Sequence, residues 1–515
     1  MISFSHKTLP DVQQNHSIIN IFRFIWQPRV QFIAILLICS YYCAIRTSVV
    51  LDDAFIYFRV VGNILRIGEP VFNPGDNYFI VTSPLWTALL TAGKYLFSAI
   101  ELEVLAKLLW LILLMFASYF TYETFLPILN RWAMLIPCFF FSPAIGSMMG
   151  NEIALLYAAM FGVIWSLVKN RPILTGMFIG TGYLARGEFI LFLIPVIVYF
   201  IITHTDRANW VRATFRFCIP VISTAAPIIL LWHLYYWFAF HHIFPNTLHI
   251  KMIQGASGYW PLFYQKIWGA IAWILNDHFY LLVFAIIGAI RQYKIFGLIV
   301  LYTLLHSILY IRWKIPFYHW YYYDYFILIL LLIFIGVVSI VQFCLSYFER
   351  KKFVSGILHR IYRVTSCLIL IVGIIWFFQI RFQYFLPKYI SNIYFNNGLD
   401  ERYNTYRELS TRLRAEIHQG DVILAEEVGI CSYYLQNIEV RDMAGIASPD
   451  ITAANINNWS YFIDTYKPRY LIFIKQLSME LQTYEYNGHR YTYQLRLIGN
   501  PRAEYFAGTV YEMLD

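Results

Sequence analysis

The stretch LDDAFIYFRVVGNILRIGEPVFNPGDNYFIVTSPLW, residues 51–86, decides how the whole chain is interpreted. Two adjacent carboxylates, Asp52 and Asp53, open it directly after the first long apolar run. An acidic side chain within hydrocarbon costs roughly 2.5–3.5 kcal/mol, so charge at this place has to be held by water, by a partner or by chemistry. The pair is therefore the first place to look for a function.

The composition is that of a membrane protein. Of 515 residues, 59% are hydrophobic, 19% are aromatic and only 13% are charged. Soluble proteins carry about 25% charged residues, which excludes an ordinary water-soluble enzyme. The net charge of +9 lies in short clusters between apolar runs, as topology determinants do, so nucleic-acid binding is not expected. The seven cysteines show no metal-ligand or disulfide spacing.

Charge placement predicts 11 membrane-spanning helices, with the N-terminus in the cytoplasm and the C-terminus outside. All basic clusters fall on the cytoplasmic side if the apolar run 84–100 does not span. We interpret that run as a helix in the outer interface, within a first extracytoplasmic loop at 49–103. The predicted spans are 31–48, 104–121, 131–147, 152–168, 172–186, 188–203, 214–239, 278–290, 295–311, 320–344 and 364–380.

A change in composition at about residue 381 predicts a second domain. Residues 1–380 form the transmembrane module, and 381–515 are polar enough to fold outside the membrane. In this tail, 407–419 has helical spacing and 420–435 reads as strand, turn and helix. Strands are predicted at IEVRDMAGI, PRYLIFI, YTYQLRLIG and YFAGTVYEM, which makes the tail a small extracytoplasmic α/β domain.

The acidic pair has the chemistry of a general base. Neighbouring side chains diverge by about 100° on a helix, so one carboxylate can face a reacting group while the other orients a neighbour or stays in solvent. An apolar interface disfavours the charged form of a carboxylate and raises its basicity. Such a group can accept a proton from an attacking sugar hydroxyl. The alternative is a loop pair or helix cap without a catalytic role.

Residues 52–86 resemble the first loop of GT-C superfamily glycosyltransferases that use polyprenyl-phosphate sugars. They are most similar to relatives of the mycobacterial terminal β-(1→2)-arabinofuranosyltransferase. Weaker matches follow in the same order at 150–152, 184–188, 235–251 and 420–446, while 77–81 departs from the family pattern. The matching residues of the first loop are Asp52, Asp53, Arg59, Asn63, Gly68, Asn73, Pro74, Gly75, Thr82, Ser83, Pro84 and Trp86.

The resemblance implies a polytopic α-helical membrane protein of the GT-C type. It implies inverting transfer of one sugar, by analogy arabinofuranose, from a polyprenyl monophosphate to a cell-envelope glycan or glycolipid. The reaction would take place on the outer face of the bacterial inner membrane, among membrane lipids. The departing lipid phosphate is a stable anion, so one base suffices. Either carboxylate can be that base, with a slight preference for Asp52, and the sugar and acceptor stay open.

Three cations are candidates for the donor phosphate, because cations at a dry site stabilise developing negative charge. They are Arg59, Arg186 and Lys251; for Arg186, the alternative is a buried ion pair with Glu152 or Glu188. No cofactor and no metal site are predicted, although a divalent ion at the acidic pair stays open. The other candidate site residues are Asn63, Glu152, Glu188, Asn246, His249, Trp320 and Tyr322.

Two other classes of function remain open. A glycolipid transporter or flippase predicts broken or polar segments near mid-bilayer and an internal repeat. Neither feature is evident in the sequence. A non-catalytic scaffold for envelope assembly, with the tail as its binding module, is the third possibility.

Overall fold

A helical module precedes a C-terminal domain built around a β-sheet in the computed structural model. It describes residues 27–47, 50–146, 148–203, 209–266, 279–350, 372–373, 398–448, 450–473, 479–499 and 508–514. The α-helices of the first module are α1 (Pro28–Arg46), α2 (Asp52–Ile67), α3 (Pro84–Leu96), α4 (Leu102–Leu129), α5 (Pro137–Phe140), α6 (Pro143–Gly146), α7 (Ile153–Val168), α8 (Pro172–Ala185), α9 (Leu193–Thr203), α10 (Trp210–Phe240), α11 (Asn246–Ser257), α12 (Phe279–Arg291), α13 (Tyr293–Arg312) and α14 (Tyr323–Arg350).

Several of these helices are suited to a bilayer. In the described part of the chain, five helical stretches are long and apolar enough to cross a membrane: 28–46, 102–135, 210–240, 293–312 and 327–344. Four shorter apolar helices accompany them, at 153–168, 172–185, 187–203 and 281–291. The segment 84–100 contains α3, whose 13 residues are too few to span a bilayer.

The predicted number of 11 spans is not confirmed. In place of one helix over 131–147, the chain forms a 3-10 helix at Asn130–Leu135 followed by α5 and α6. Pro137 and Pro143 begin the two short helices, because proline is favoured at a helix start but interrupts a continuing one. The span predicted at 364–380 lies almost wholly outside the described residues.

Helix α2 is buried on nearly all sides. It begins with Asp52 and Asp53, whose negative charges are favourable at the amino end of a helix. It ends at Gly68, whose φ of 77° is the left-handed conformation that closes a helix. Because Phe55, Phe58 and Val60 are fully buried, the helix packs its apolar surface inside the protein rather than against lipid.

The C-terminal domain is an α/β domain, as predicted. Its six-stranded sheet has the order β2-β1-β3-β6-β5-β4, with β1 parallel to β2 and β3 and the remaining pairs antiparallel. The strands are β1 (Val422–Ala425), β2 (Glu439–Asp442), β3 (Tyr470–Phe473), β4 (Leu481–Tyr486), β5 (His489–Gly499) and β6 (Gly508–Met513), and the helices are α15 (Gly398–Leu413), α16 (Gly429–Tyr434) and α17 (Trp459–Tyr466).

The two modules share one hydrophobic core. Phe55 and Phe58 of α2 meet the ring of Tyr433 in α16, with ring centroids 5.5 and 5.8 Å apart. Apolar side chains of the sheet, including Ile423 and Val440, belong to the same buried cluster. Helix α2 is therefore the part of the helical module that meets the C-terminal domain, and this position places its acidic end at the junction of the two.

Candidate active site

Asp52 is held by the C-terminal domain. The backbone N–H of Ile430, in α16, donates a 2.9 Å hydrogen bond to Oδ1 of Asp52. Nη2 of Arg402, in α15, lies 3.5 Å from Oδ2. The residue is only 5% exposed. Both carboxylate oxygens are therefore engaged by the other module.

Asp53 is differently placed. Within the described part of the chain it makes no hydrogen bond or ion pair, and some of its surface stays accessible. Burial is the main cause that raises the pKa of Asp53 to about 6, and the charge of Asp52 adds to it. Lys251 and Arg402 act in the opposite direction. Asp53 is thus a carboxylate that can accept a proton near neutral pH.

Lys251 supplies an ammonium group to the same region. Its Nζ lies 3.8 Å from the centre of the Tyr318 ring. That ring is fixed because the Tyr318 hydroxyl donates a 2.9 Å hydrogen bond to Oε1 of Gln254, which also lies on α11. Burial lowers the pKa of Lys251 to about 8, opposed by Asp53 and Asp442. The Lys251 side chain is therefore still protonated at neutral pH, but it loses its proton at a lower pH than a surface lysine does.

Lys251 is one of the residues that line a cavity of about 310 Å³. Two kinds of side chain line it. Thr82, Arg186, Glu188 and Lys251 are polar, whereas Trp232, Leu248, Leu309 and Trp313 are mainly apolar. A phosphate with a long hydrocarbon chain combines the same two properties.

Arg186 lines the cavity as part of a buried ion network. Its Nε donates to Glu188 at 2.6 Å, and its Nη1 lies 3.3 Å from Glu152. Nη2 donates a 3.0 Å hydrogen bond to the hydroxyl of Tyr310. The guanidinium also lies over the ring of Tyr321, 4.9 Å from its centre. Two carboxylates thus balance the charge of Arg186, which is the ion-pair alternative considered for this residue.

Arg59 is placed away from the cavity and is fully buried. Its guanidinium makes five hydrogen bonds of 2.6–3.1 Å: to the carbonyls of Phe72, Ser432, Leu435 and Ile438 and to Oδ1 of Asn73. A guanidinium has five N–H donors, so these contacts use all of them. The residue connects α2, the following loop and the C-terminal domain.

Asn63 also has structural partners. Its Nδ2 donates to the carbonyls of Val71 and Phe72 at 2.8 and 2.9 Å, and its Oδ1 accepts from Arg66 at 2.9 Å. These bonds fix the loop after α2. Asn63 and Arg59 therefore support the same loop, and the family resemblance of 52–86 covers residues that shape the junction as well as the site.

The remaining candidates that the structure describes do not line the cavity that contains Lys251. Asn246 and His249 line a second cavity of about 400 Å³ on α11, together with Asn77 and Tyr78. The ring of Trp320 stacks on that of Tyr318 at 4.9 Å, so it supports the lysine-bearing ring. The side chain of Tyr322 lies outside the described residues.

Sequence reasoning missed the partners that come from the tail. Arg402 contacts both Asp52 and Glu427. Glu427 lies in the segment 420–435, for which the sequence predicts a strand, a turn and a helix but no site residue. Nothing near Arg402 in the sequence distinguishes it from other basic residues of a polar helix. Among the described residues, no group of three or more acidic, histidine or cysteine side chains is arranged to hold a metal ion.

A family described as a domain of unknown function (DUF8728) matches residues 392–511. No curated protein matches the chain.

Three solved structures resemble the whole chain. ArnT from Cupriavidus metallidurans in the apo state has a TM-score of 0.50 at 11% identity and covers 93% of this chain and 97% of its own. The same protein bound to undecaprenyl phosphate has a TM-score of 0.48 at 12% identity, with the same coverage. The archaeal oligosaccharyltransferase AglB from Archaeoglobus fulgidus, in complex with an inhibitory peptide and a dolichol-phosphate, has a TM-score of 0.47 at 11% identity and covers 87% of this chain and 70% of its own.

The overall fold is similar to that of apo ArnT. This agrees with the predicted architecture, a module of apolar helices followed by a C-terminal sheet domain, and leaves the number of spans open.

Proposed function

We propose that this protein is a membrane glycosyltransferase that transfers a sugar from a polyprenyl-monophosphate donor to an acceptor hydroxyl. The observation that carries the proposal is a carboxylate without a partner in the described structure, Asp53, whose pKa is lowered by the charge of Lys251, an ammonium that lines a cavity with apolar and cationic walls. The GT-C fold and the resemblance of residues 52–86 support the same chemistry.

The donor phosphate is assigned to Lys251. This ammonium has no carboxylate in direct contact within the described part of the chain, whereas Arg186 already has two. A phosphate can therefore pair with Lys251 without displacing an existing ion pair. The apolar side chains Trp232, Leu309 and Trp313 then accept the first part of the prenyl chain. Arg186 stays paired with Glu152 and Glu188 and forms a polar part of the cavity wall.

The base is assigned to Asp53. Asp52 cannot turn towards a substrate without losing the hydrogen bond from Ile430 and the contact with Arg402. We therefore prefer the second carboxylate over the first. Its pKa of about 6 leaves it ionised at neutral pH and basic enough to accept a proton.

The reaction balances with these two groups. The acceptor oxygen bonds to the anomeric carbon of the donor sugar while the bond from that carbon to the phosphate oxygen breaks. The hydroxyl proton passes to Asp53, and the polyprenyl phosphate leaves as an anion beside Lys251. Direct attack inverts the anomeric configuration. The phosphate needs no proton to leave, so no general acid is required.

The identity of the sugar and acceptor, and the orientation of the chain in the membrane, are proposed from the resemblance of the sequence alone. We propose arabinofuranose as the sugar, a cell-envelope glycan or glycolipid as the acceptor, and the outer face of the bacterial inner membrane as the place of reaction. The chain would have its N-terminus in the cytoplasm and its C-terminal domain outside, and it would work without a cofactor.

The test uses purified full-length protein in lipid vesicles with radiolabelled polyprenyl-monophosphate sugars and an envelope glycan extract. Sugar transfer that Asp53→Asn abolishes, and that Asp450→Asn at an exposed site does not change, supports the proposal. Movement of the labelled lipid between leaflets without a new glycosidic bond indicates a transporter. If the wild-type protein neither transfers the sugar nor moves the labelled lipid, the proposal is overturned in favour of a non-catalytic scaffold.

A further inference from the structure

The C-terminal domain reaches the acidic pair with charged side chains of its own. We propose that Arg402 and Glu427 are positioning residues, through which this domain completes the active site by fixing Asp52 and aiming Asp53 at the substrate. The inference rests on the proposed transferase function. It gives a task to the region 392–511, which matches a family of unknown function.

The first support is the geometry of the ion cluster. Arg402 lies between two carboxylates, with Nη2 in contact with Glu427 and 3.5 Å from Oδ2 of Asp52. The Arg402 side chain is 13% exposed and that of Asp52 is 6% exposed. Little water is therefore available to replace Arg402 as the counter-charge of Asp52.

The second support is how closely the two modules approach at this point. A Cβ atom added to Gly429 would lie 2.2 Å from the backbone oxygen of Asp52 and 2.6 Å from Oδ2. Only a glycine allows α16 to bring the Ile430 amide to the carboxylate. The domain is thus fitted to the first residue of α2 rather than attached elsewhere on the helical module.

The third support is the rigidity of the surrounding junction. The five hydrogen bonds of Arg59 include three to carbonyls of the segment 432–438. Asn73 adds a pair of bonds to Val440, each 3.0 Å long, through its side-chain amide. These bonds hold the two modules together next to the contact between Arg402 and Asp52, so the geometry of that contact can be transmitted to the neighbouring Asp53.

The charges give this arrangement a chemical consequence. Two adjacent ionised carboxylates repel each other, and a cation beside them makes simultaneous ionisation easier. Arg402 lowers the pKa of Asp53. Burial raises the pKa of Glu427 to about 7, and the charges of Asp52 and Asp53 add to this rise while Arg402 opposes it, so Glu427 is largely uncharged in the pH range where Asp53 titrates. The charged or titratable groups that act on or face Asp53 are Asp52, Glu152, Lys251, Tyr318, Tyr321, Arg402 and Glu427.

The test compares the pH dependence of transfer in Arg402→Gln and Glu427→Gln full-length protein. Loss of Arg402 should move the acidic limb of the profile up by about one pH unit, because Asp53 then protonates more readily. Loss of Glu427 should leave the same limb in place, because Glu427 is largely protonated at the pH where Asp53 titrates. A purely structural ion pair would instead give both variants the same loss of activity at every pH, since each breaks the same contact.

The matched controls lie on the same helix. Glu408 and Arg412 form an exposed ion pair on α15, 3.3 Å apart, so Glu408→Gln and Arg412→Gln should leave the profile unchanged. Arg402→Lys keeps the charge and should restore the wild-type limb, which separates a charge effect from misfolding. If Arg402→Gln does not fold, Arg402→Met, which keeps the apolar stem of the side chain and removes its charge, carries the test with the same expected shift.

The outcomes separate the two proposals. Wild-type transfer with an upward shift in Arg402→Gln and an unmoved limb in Glu427→Gln supports the inference. Wild-type transfer with an unmoved limb in Arg402→Gln, or with the same shift in both variants, overturns the inference and leaves the transferase function standing. No transfer by the wild type overturns the proposed function, and the inference falls with it.

Discussion

The Ile430 amide and the Asp52 carboxylate are joined by a 2.9 Å hydrogen bond between residues 378 positions apart in the chain. The bond removes one of two neighbouring aspartates from reach of a substrate and leaves the other accessible. Two residues with the same chemistry thereby receive different tasks, because Asp52 fixes the junction and Asp53 keeps its basic oxygens available.

This difference predicts a split between the two asparagine variants. Asp53→Asn should lower transfer by about 10²-fold or more, since it removes the base. It should leave thermal stability close to that of the wild type. Asp52→Asn should lower the melting temperature, because the amide carries no charge to pair with Arg402. Equal melting temperatures for the two variants would contradict the assignment.

The pH dependence of transfer should be bell-shaped. Asp53 has to be ionised to accept a proton, so the rate should rise with pH through about 6. Lys251 has to be protonated to hold the phosphate, so the rate should fall as pH rises through about 8. Initial rates measured across roughly pH 4.5–9.5 cover both limbs of the profile. Asp53 determines the acidic limb and Lys251 the alkaline limb. The alkaline limb should disappear in a Lys251→Arg variant that retains activity, because arginine stays charged.

Lys251→Met should weaken binding of a polyprenyl monophosphate by roughly 10- to 100-fold, the value of one charge-assisted hydrogen bond. Binding can be measured by the increase in melting temperature on titration with the lipid. Lys266→Met removes an exposed lysine and serves as the control. An unchanged affinity in Lys251→Met would contradict the assignment of the donor phosphate to Lys251.

Arg59→Lys should destabilise the protein by roughly 3 kcal/mol or more, since an ammonium cannot replace the five-donor fork and each lost bond to a charged group is worth about 1.5–3 kcal/mol. Thermal unfolding measures the loss. Arg66 lies on the same helix and is exposed, so Arg66→Lys is the matched control. A small effect of Arg59→Lys on stability together with loss of lipid binding would return Arg59 to the donor site.

Gly429→Ala should loosen the junction, because the new methyl group overlaps the backbone of Asp52. Overpacking of this kind costs about 1–3 kcal/mol. Limited proteolysis should release the C-terminal domain sooner than in the wild type. Gly297→Ala has open space around the new methyl group and should change nothing.

The sequence predicted the elements with strong local patterns. Hydrophobic runs and basic clusters gave most of the apolar helices, and alternation gave strands β2, β3, β5 and β6. It missed β4, whose residues alternate between exposed and half-buried on an edge of the sheet. The Asn487–Gly488 turn, with φ of 48° and 83°, is a hairpin signal that could have revealed it.

The site was predictable only in part, because its contacts are not local. Asp53 and Lys251 were selected for their residue type and for the resemblance of the loops that carry them. The same criteria selected Arg59, whose hydrogen bonds belong to the junction. Arg402 and Glu427 acquire their meaning from the packing of two modules, which no pattern along a single chain contains.

The long separation between Asp52 and Ile430 has a consequence during synthesis. At about 5–20 residues per second, a ribosome needs roughly 20–75 s to make the intervening chain. Throughout that interval Asp52 has no Ile430 amide to accept a hydrogen bond from. A nascent or truncated polypeptide therefore lacks a complete site. The site forms only when the C-terminal domain has been synthesised and has packed against α2.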